Sequence, residues 1–134
     1  MILTSLTRYG DLGLLLLRVG LGTMFIYHGA PKIMGGPALW TGLGSAMGNL
    51  GVTFAPAVWG FLAALAEFGG GICLLLGFAF RPACIMMAFT MTVAAVFHLS
   101  KGDTLNEASH AVESGIVFLS LILIGPGSYS IDKK

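Results

Sequence analysis

The chain has 134 residues, 56% of them hydrophobic and only 10% charged, with a mean hydropathy of +0.89. A soluble domain carries roughly 25% charged residues, so this composition cannot clothe a water-facing surface; it excludes a soluble enzyme, a disordered tail and a disulfide-stapled secreted module. The formal net charge of +1 rests on seven scattered cations, too few for the basic patch that a polyanion requires, and nucleic acid is excluded as a partner.

The length suits one domain over residues 1–134. Within it four apolar runs approach the roughly 20 residues that cross a bilayer: 12–27, 55–80, 83–99 and 111–124. Helix-breaking residues separate them: Pro31 with Gly35, Gly36 and Pro37, a tight turn at Arg81 and Pro82, then Lys101, Gly102 and Asp103, with Gly125, Pro126 and Gly127 after the last run. The expected architecture is all-α, an integral membrane four-helix bundle running up-down-up-down. A Gly-rich outer loop or short interfacial helix over 35–51 joins the first two spans and carries Trp40. Trp40 and Trp59 suit an aromatic belt at the outer interface.

The first run is read as a span rather than a signal peptide. His28 stands three residues before Ala30, where a cleavage site wants a small residue, and Arg18 interrupts the apolar core. Counting cations by side places Arg8, Arg81, Lys133 and Lys134 with the termini and Lys32 and Lys101 opposite. The positive-inside bias then puts both ends in the cytoplasm of a bacterial plasma membrane and the 28–54 loop outside.

An ionisable group inside a span costs about 2.5 to 3.5 kcal/mol on insertion scales, so each needs a partner or a use. Arg18, Glu67 and His98 stand in the spans, with Glu113 near the outer end of the fourth. At helical periodicity Arg18 shares a face with Gly22, Phe25, Gly29 and Lys32, and Glu67 with Gly60, Ala63, Gly70, Gly71 and Leu74. The small residues beside Glu67 let another helix backbone approach, so that face meets protein. Arg18 lies about 10 Å from the cytoplasmic end of its span, within reach of the middle of its neighbour, and an Arg18–Glu67 ion pair between the first two spans is expected. If Arg18 instead snorkels to the interface, Glu67 is left unpaired and protonated.

All three histidines fall at the outer level: His28 closes the first span, His98 the third, and His110 with Glu113 opens the fourth. Such a set suits a proton-handling or quinone-headgroup site, since imidazole titrates near neutral pH. It would also suit zinc, copper or non-haem iron, and interfacial imidazoles equally hydrogen-bond loop carbonyls and water. His28, His98, His110 and Glu113 are therefore the ligand-binding or proton-handling candidates; no metal site and no catalytic residue is assigned. In the third span Cys84, Met87, Met91, Ala94 and His98 form a stripe expected to face the bundle, with Met as gap-filling core. Cys73 and Cys84 flank a turn, no CxxC is present, and free thiols are expected.

Several stretches together resemble the DoxX family of small four-helix membrane proteins, sometimes classed as oxidoreductases. They are Arg18 to Gly22 followed by Phe25, His28, Gly29 and Lys32; Glu67 to Gly71 running on to Leu76, Gly77 and Arg81; His98; and the ending from Gly125 to Asp132. The resemblance implies an inner-membrane protein linked to quinol oxidases, to thiosulfate oxidation with quinone as acceptor, or to complexes handling oxidative and thiol stress. The candidate residues rest on buried polarity rather than on a family motif.

Three functions follow. In the first, a redox-linked subunit holds a quinone or similar amphipathic molecule, its headgroup near His28, His98 and Glu113 and its tail among Met and Phe side chains; if it turns over, it does so as part of a membrane oxidoreductase, within a redox complex or a homo-oligomer. In the second, a structural or assembly subunit has no turnover. In the third, a small transporter places Arg18 and Glu67 along a midplane path.

Overall fold

A computed structural model describes residues 2–132. A 3-10 segment, Thr4–Tyr9, leads into α1 (Gly10–Met34), followed by α2 (Gly36–Gly44), a second 3-10 segment Ser45–Leu50, α3 (Pro56–Leu76), α4 (Phe80–Ser100) and α5 (Leu105–Ile124). Four of these helices are long and apolar enough to cross a membrane; α3, with 21 residues, is about 31 Å long and matches the hydrocarbon thickness. Side chains on the perimeter are oily and exposed, Leu16 at 75% and Leu123 at 83%, as a lipid-facing surface requires.

The spans alternate in direction, α3 packing on α1, α4 on α3 and α5 on α4. Aromatic side chains bring α5 to α1, with the Phe25 and Phe118 rings 5.2 Å apart. The core holds Phe25, Leu74, Phe80, Met87, Met91, Phe118 and Leu121. Cys84, Met87 and Met91 of the expected stripe are buried, Ala94 and His98 half-buried. On α1 the four buried residues are Arg18, Gly22, Phe25 and Gly29, the face that the helical phase selects.

Glycine sets the closest approaches. A Cβ on Gly22 would lie 2.7 Å from the Gly71 carbonyl oxygen, and one on Gly29 2.5 Å from the Phe68 nitrogen. The α1 and α3 backbones therefore touch, the usual way membrane helices associate. The same device seats α2 on the start of α3, where a Cβ on Gly60 would overlap the Trp40 carbonyl oxygen. The Gly-rich connection is thus a packed short helix.

Three expected boundaries move. Helix α1 runs through Pro31 to Met34, because losing one helical hydrogen bond is tolerated where neighbouring protein supports the helix. Arg81 and Pro82 do not form the turn; they sit in the first turn of α4, where proline's missing N–H would have no helical partner in any case. The chain reverses at Gly77 instead, whose φ of 68° ends α3 while Phe78 N–H donates to the Cys73 carbonyl at 3.0 Å, a Schellman end. Helix α5 starts earlier than expected, with Thr104 and Glu107 forming a capping box. Lys133 and Lys134, counted above toward the cytoplasmic side, lie outside the described residues.

Candidate functional site

The ends of α3, α4 and α5 nearest the termini leave helix carbonyls and amides without helical partners. Arg18, 1% exposed, donates from Nε to the Leu74 carbonyl (2.9 Å), from Nη2 to Leu75 (3.1 Å), and from Nη1 to Tyr129 (2.6 Å) and Pro126 (3.3 Å). The guanidinium thus meets the negative end of the α3 dipole and ties it to the segment after α5. That segment folds back under the bundle. Ile131 and Asp132 donate their N–H groups to the carbonyls of Leu76 and Gly77, and the Asp132 carboxylate accepts from the N–H groups of Ala79 and Phe80 at 2.9 and 2.6 Å. A carboxylate at the start of α4 suits the positive end of that helix. Ser128 donates to Asp11 at 2.7 Å, and Arg81 Nε to the Ile122 carbonyl at 2.8 Å.

The expected Arg18–Glu67 pair is therefore corrected. Arg18 turns toward the terminal end, and Glu67 pairs with Lys32, Nζ to Oε2 at 2.6 Å. Lys32 reaches Glu67 because α1 continues beyond Pro31. Arg18 and Glu67 do not line one path, since Arg18 is absent from the cavity that Glu67 lines.

That cavity, about 600 Å³, lies between α3 and α4. Leu43 and Met47 contribute from the connection between α1 and α3; Trp59, Leu62, Ala63, Ala66 and Glu67 line it from α3, Lys32 from α1, and Ile85, Met86, Phe89, Met91, Ala94, Phe97 and His98 from α4. Ile85 and Met86 are 55% and 54% exposed, so its lower flank meets the lipid-facing surface. At 1.5 Å per residue, Trp59 and His98 stand about 3 to 5 Å from the loop ends of their helices, and Glu67 about 12 Å deeper than Trp59. The volume lies in the usual range for small-molecule sites, as does a mostly apolar wall with few polar groups.

The outer candidates do not converge. His98 Nδ1 lies 2.7 Å from Asp103 Oδ2, with Lys101 Nζ 3.5 Å from the same oxygen. The hydrogen bond with His98, then the charge of Lys101, hold the Asp103 carboxyl below its ordinary value. An ionised carboxylate only accepts, so Nδ1 carries the proton. His28 and His110 form a separate pair on the α1–α5 seam, ring centres 5.7 Å apart, with Phe25 stacked on His110. Glu113 is exposed and, like His28 and His110, does not line the cavity. Among the described residues no three His, Cys, Asp or Glu side chains gather in a metal-binding arrangement. Cys73 and Cys84 are free thiols.

Sequence reasoning put Lys32 in phase with the Arg18 face but beyond the end of the first span, did not pair it with Glu67, and missed the cavity itself. It also missed Trp59 as a cavity residue. The indole Nε1 of Trp59 is buried and has no hydrogen-bond partner among the described residues, whereas that of Trp40 donates to the Lys32 carbonyl at 2.9 Å.

Fold and composition define a multi-pass helical membrane protein. The DoxX family model matches residues 13–99, and the chain belongs to the DoxX family. It is similar to the inner membrane protein YqjF of Escherichia coli, 35% identical over 126 residues and 92% of each chain. It is also similar to the inner membrane protein YphA of the same organism, 29% identical over 141 residues covering 95% of this chain and 97% of the relative. An uncharacterized protein of Haemophilus influenzae is 29% identical over 138 residues, 98% of this chain and 97% of its own. No solved structure matches. The apolar helices and these relatives make it a multi-pass inner-membrane protein.

Proposed function

We propose that the protein is a redox-linked inner-membrane subunit that holds a quinone in the α3–α4 cavity. The observation that carries this is an apolar chamber of about 600 Å³, flanked by lipid-exposed side chains, whose polar groups cluster toward the loop end and the midplane. An isoprenoid tail fits along Met86, Phe89 and the exposed Ile85, and a ring fits higher, in the half bounded by Glu67, Trp59 and His98. A bound quinone would supply a two-electron, two-proton acceptor, with electrons arriving from a partner subunit of a membrane redox complex or from a second copy of the chain. His98, its Nδ1 engaged by Asp103, would exchange protons with the bound ring through Nε2. The headgroup site thus moves from the His28, His98 and Glu113 set to the walls of the cavity. In the orientation that the cation distribution favours, both termini are cytoplasmic and the cavity lies in the outer half of the membrane.

The test is the lipid extract of protein purified gently from native membranes. Quinone is expected to copurify with the wild-type chain and to be lost in His98→Leu while the fold persists. A wild-type preparation free of quinone sinks the proposal.

The second reading, an assembly subunit without turnover, draws support from Arg18 and Asp132. Both are wholly engaged with helix ends and the returning segment, so these conspicuous charges act in architecture.

A further inference from the structure

We propose that the free oxygen of Glu67 makes the α3–α4 cavity selective for uncharged amphiphiles that carry a hydroxyl. This selectivity rests on the ligand site proposed above and deepens it: the reduced ring is the form held best.

Glu67 stands in the middle of α3 and is 6% exposed. Its Oε2 accepts from Lys32 Nζ at 2.6 Å, while Oε1 accepts no hydrogen bond among the described residues. That oxygen is not sealed in. Among the described residues the Trp59 indole nitrogen is the one side-chain polar atom both fully buried and without a partner, so the unpaired Oε1 keeps contact with open space. The open space beside it is the cavity. Ala63 and Ala66, one turn and one residue earlier on α3, line the same wall as Glu67, whereas Ala64, Gly70 and Gly71 on the other flank are buried against protein.

Paired with Lys32, the carboxylate can only accept, and an acceptor in an apolar chamber costs free energy until a donor reaches it. Its neighbours on the wall do not supply one: the Thr90 hydroxyl donates to the Met86 carbonyl at 2.9 Å, and His98 Nδ1 is held by Asp103. A hydroxyl on the ligand does. Charge is excluded on related grounds. Lys32 and Glu67 neutralise each other, so a carboxylate or an ammonium group brought beside them would stand uncompensated against an apolar wall. The carbonyl of a quinone offers Oε1 no donor, whereas the hydroxyl of the reduced ring donates to it. The cavity therefore holds a phenol more tightly than its methyl ether and rejects fatty acids and alkylamines.

The test uses the full chain in nanodiscs and measures saturable uptake, above that of empty nanodiscs, of four probes sharing one tail: para-decylphenol, para-decylanisole, decanoate and decylammonium. Phenol and anisole differ in the O–H donor. The wild-type chain is expected to bind the phenol about tenfold more tightly, the worth of one hydrogen bond to a charged acceptor, with both ions at background. The double variant Lys32→Met with Glu67→Leu removes the pair without stranding a charge, and is expected to bring the two rings to parity while still taking up the anisole. Should that variant lose both rings, Glu67→Gln decides, with the phenol preference expected to shrink several-fold. Equal affinity for phenol and anisole in the wild type, or an undiminished preference in the deciding variant, overturns this selectivity and leaves the proposed function standing on its own test of copurified quinone. Saturable decanoate or decylammonium binding overturns the exclusion of charge. Failure of the wild-type chain to take up either ring removes the cavity as a ligand site, and the proposed function with it.

Discussion

Arg18 is a buried cation whose partners are carbonyl dipoles rather than a carboxylate. Four carbonyls from two segments surround it, and hydrogen bonds to charged groups are worth about 1.5–3 kcal/mol each when they are well formed. Replacing Arg18 with Met is expected to lower the unfolding free energy in detergent by about 3 kcal/mol or more, read as a large drop in melting temperature; an unchanged transition would remove Arg18 as the tie between α3 and the returning segment. Glu67→Gln removes the charge that pairs with Lys32 while leaving an acceptor oxygen, and because the Lys32 side chain is 35% exposed the loss should be smaller, about 1–2 kcal/mol. Asp103 belongs to the α4–α5 loop and supplies a pH dependence. Its pKa is lowered by folding, so the His98 contact stabilises the folded loop above the unfolded aspartate value of about 3.9 and is lost as pH falls through the lower folded value. A carboxyl titration followed by NMR should place Asp103 below an exposed aspartate, and Lys101→Ala should shift it partway back.

Among the elements, α1 and α3 depend on glycine at particular turns. Gly29→Ala puts a methyl group 2.5 Å from the Phe68 nitrogen, and is expected to destabilise by about 1–3 kcal/mol, as overpacking does. Gly13 and Gly20 lie on the same helix with nothing within 4 Å of a Cβ, so alanine there should be neutral or stabilising by about 0.5–1 kcal/mol. Parallel melting curves of the two kinds of variant would separate contact from propensity, and equal behaviour would refute the close-packed seam. The spans and their inward faces were legible in the sequence because hydropathy and a 3.6-residue period report them directly, as the buried Gly22, Phe25, Gly70 and Gly71 show. The helix ends were not, because Pro31 and Pro82 read as breaks while the surrounding bundle tolerates one and the first helical turn accommodates the other.

The candidate site was legible only in part, and the reason lies at the level of the whole molecule. Sequence position gives depth along the bundle but not the angle around it, so His28, His98 and His110 share a level yet fall on two different seams. Arg18 was paired wrongly because its acceptors are backbone carbonyls, which leave no mark in the pattern of side chains. The part of the cavity wall that Leu43 and Met47 supply and the return of residues 125–132 depend on packing between distant segments, which no local periodicity carries. That return also makes a global prediction. Ending the chain after Gly125 removes the Tyr129 acceptor of Arg18 and the Asp132 cap of α4 together, and should lower the melting temperature more than Asp132→Asn, which weakens a single cap worth about 0.5–2 kcal/mol; equal losses would mean that the segment acts through Asp132 alone.

The same return has a consequence for biosynthesis. Arg18 belongs to the first span, but the oxygens of residues 126 and 129 that embrace it are synthesised only after the last span. Until then two of the four carbonyl acceptors of Arg18 are missing, and the earliest helix holds an incompletely solvated cation. Residues 126–132 therefore complete an assembly that the first span begins.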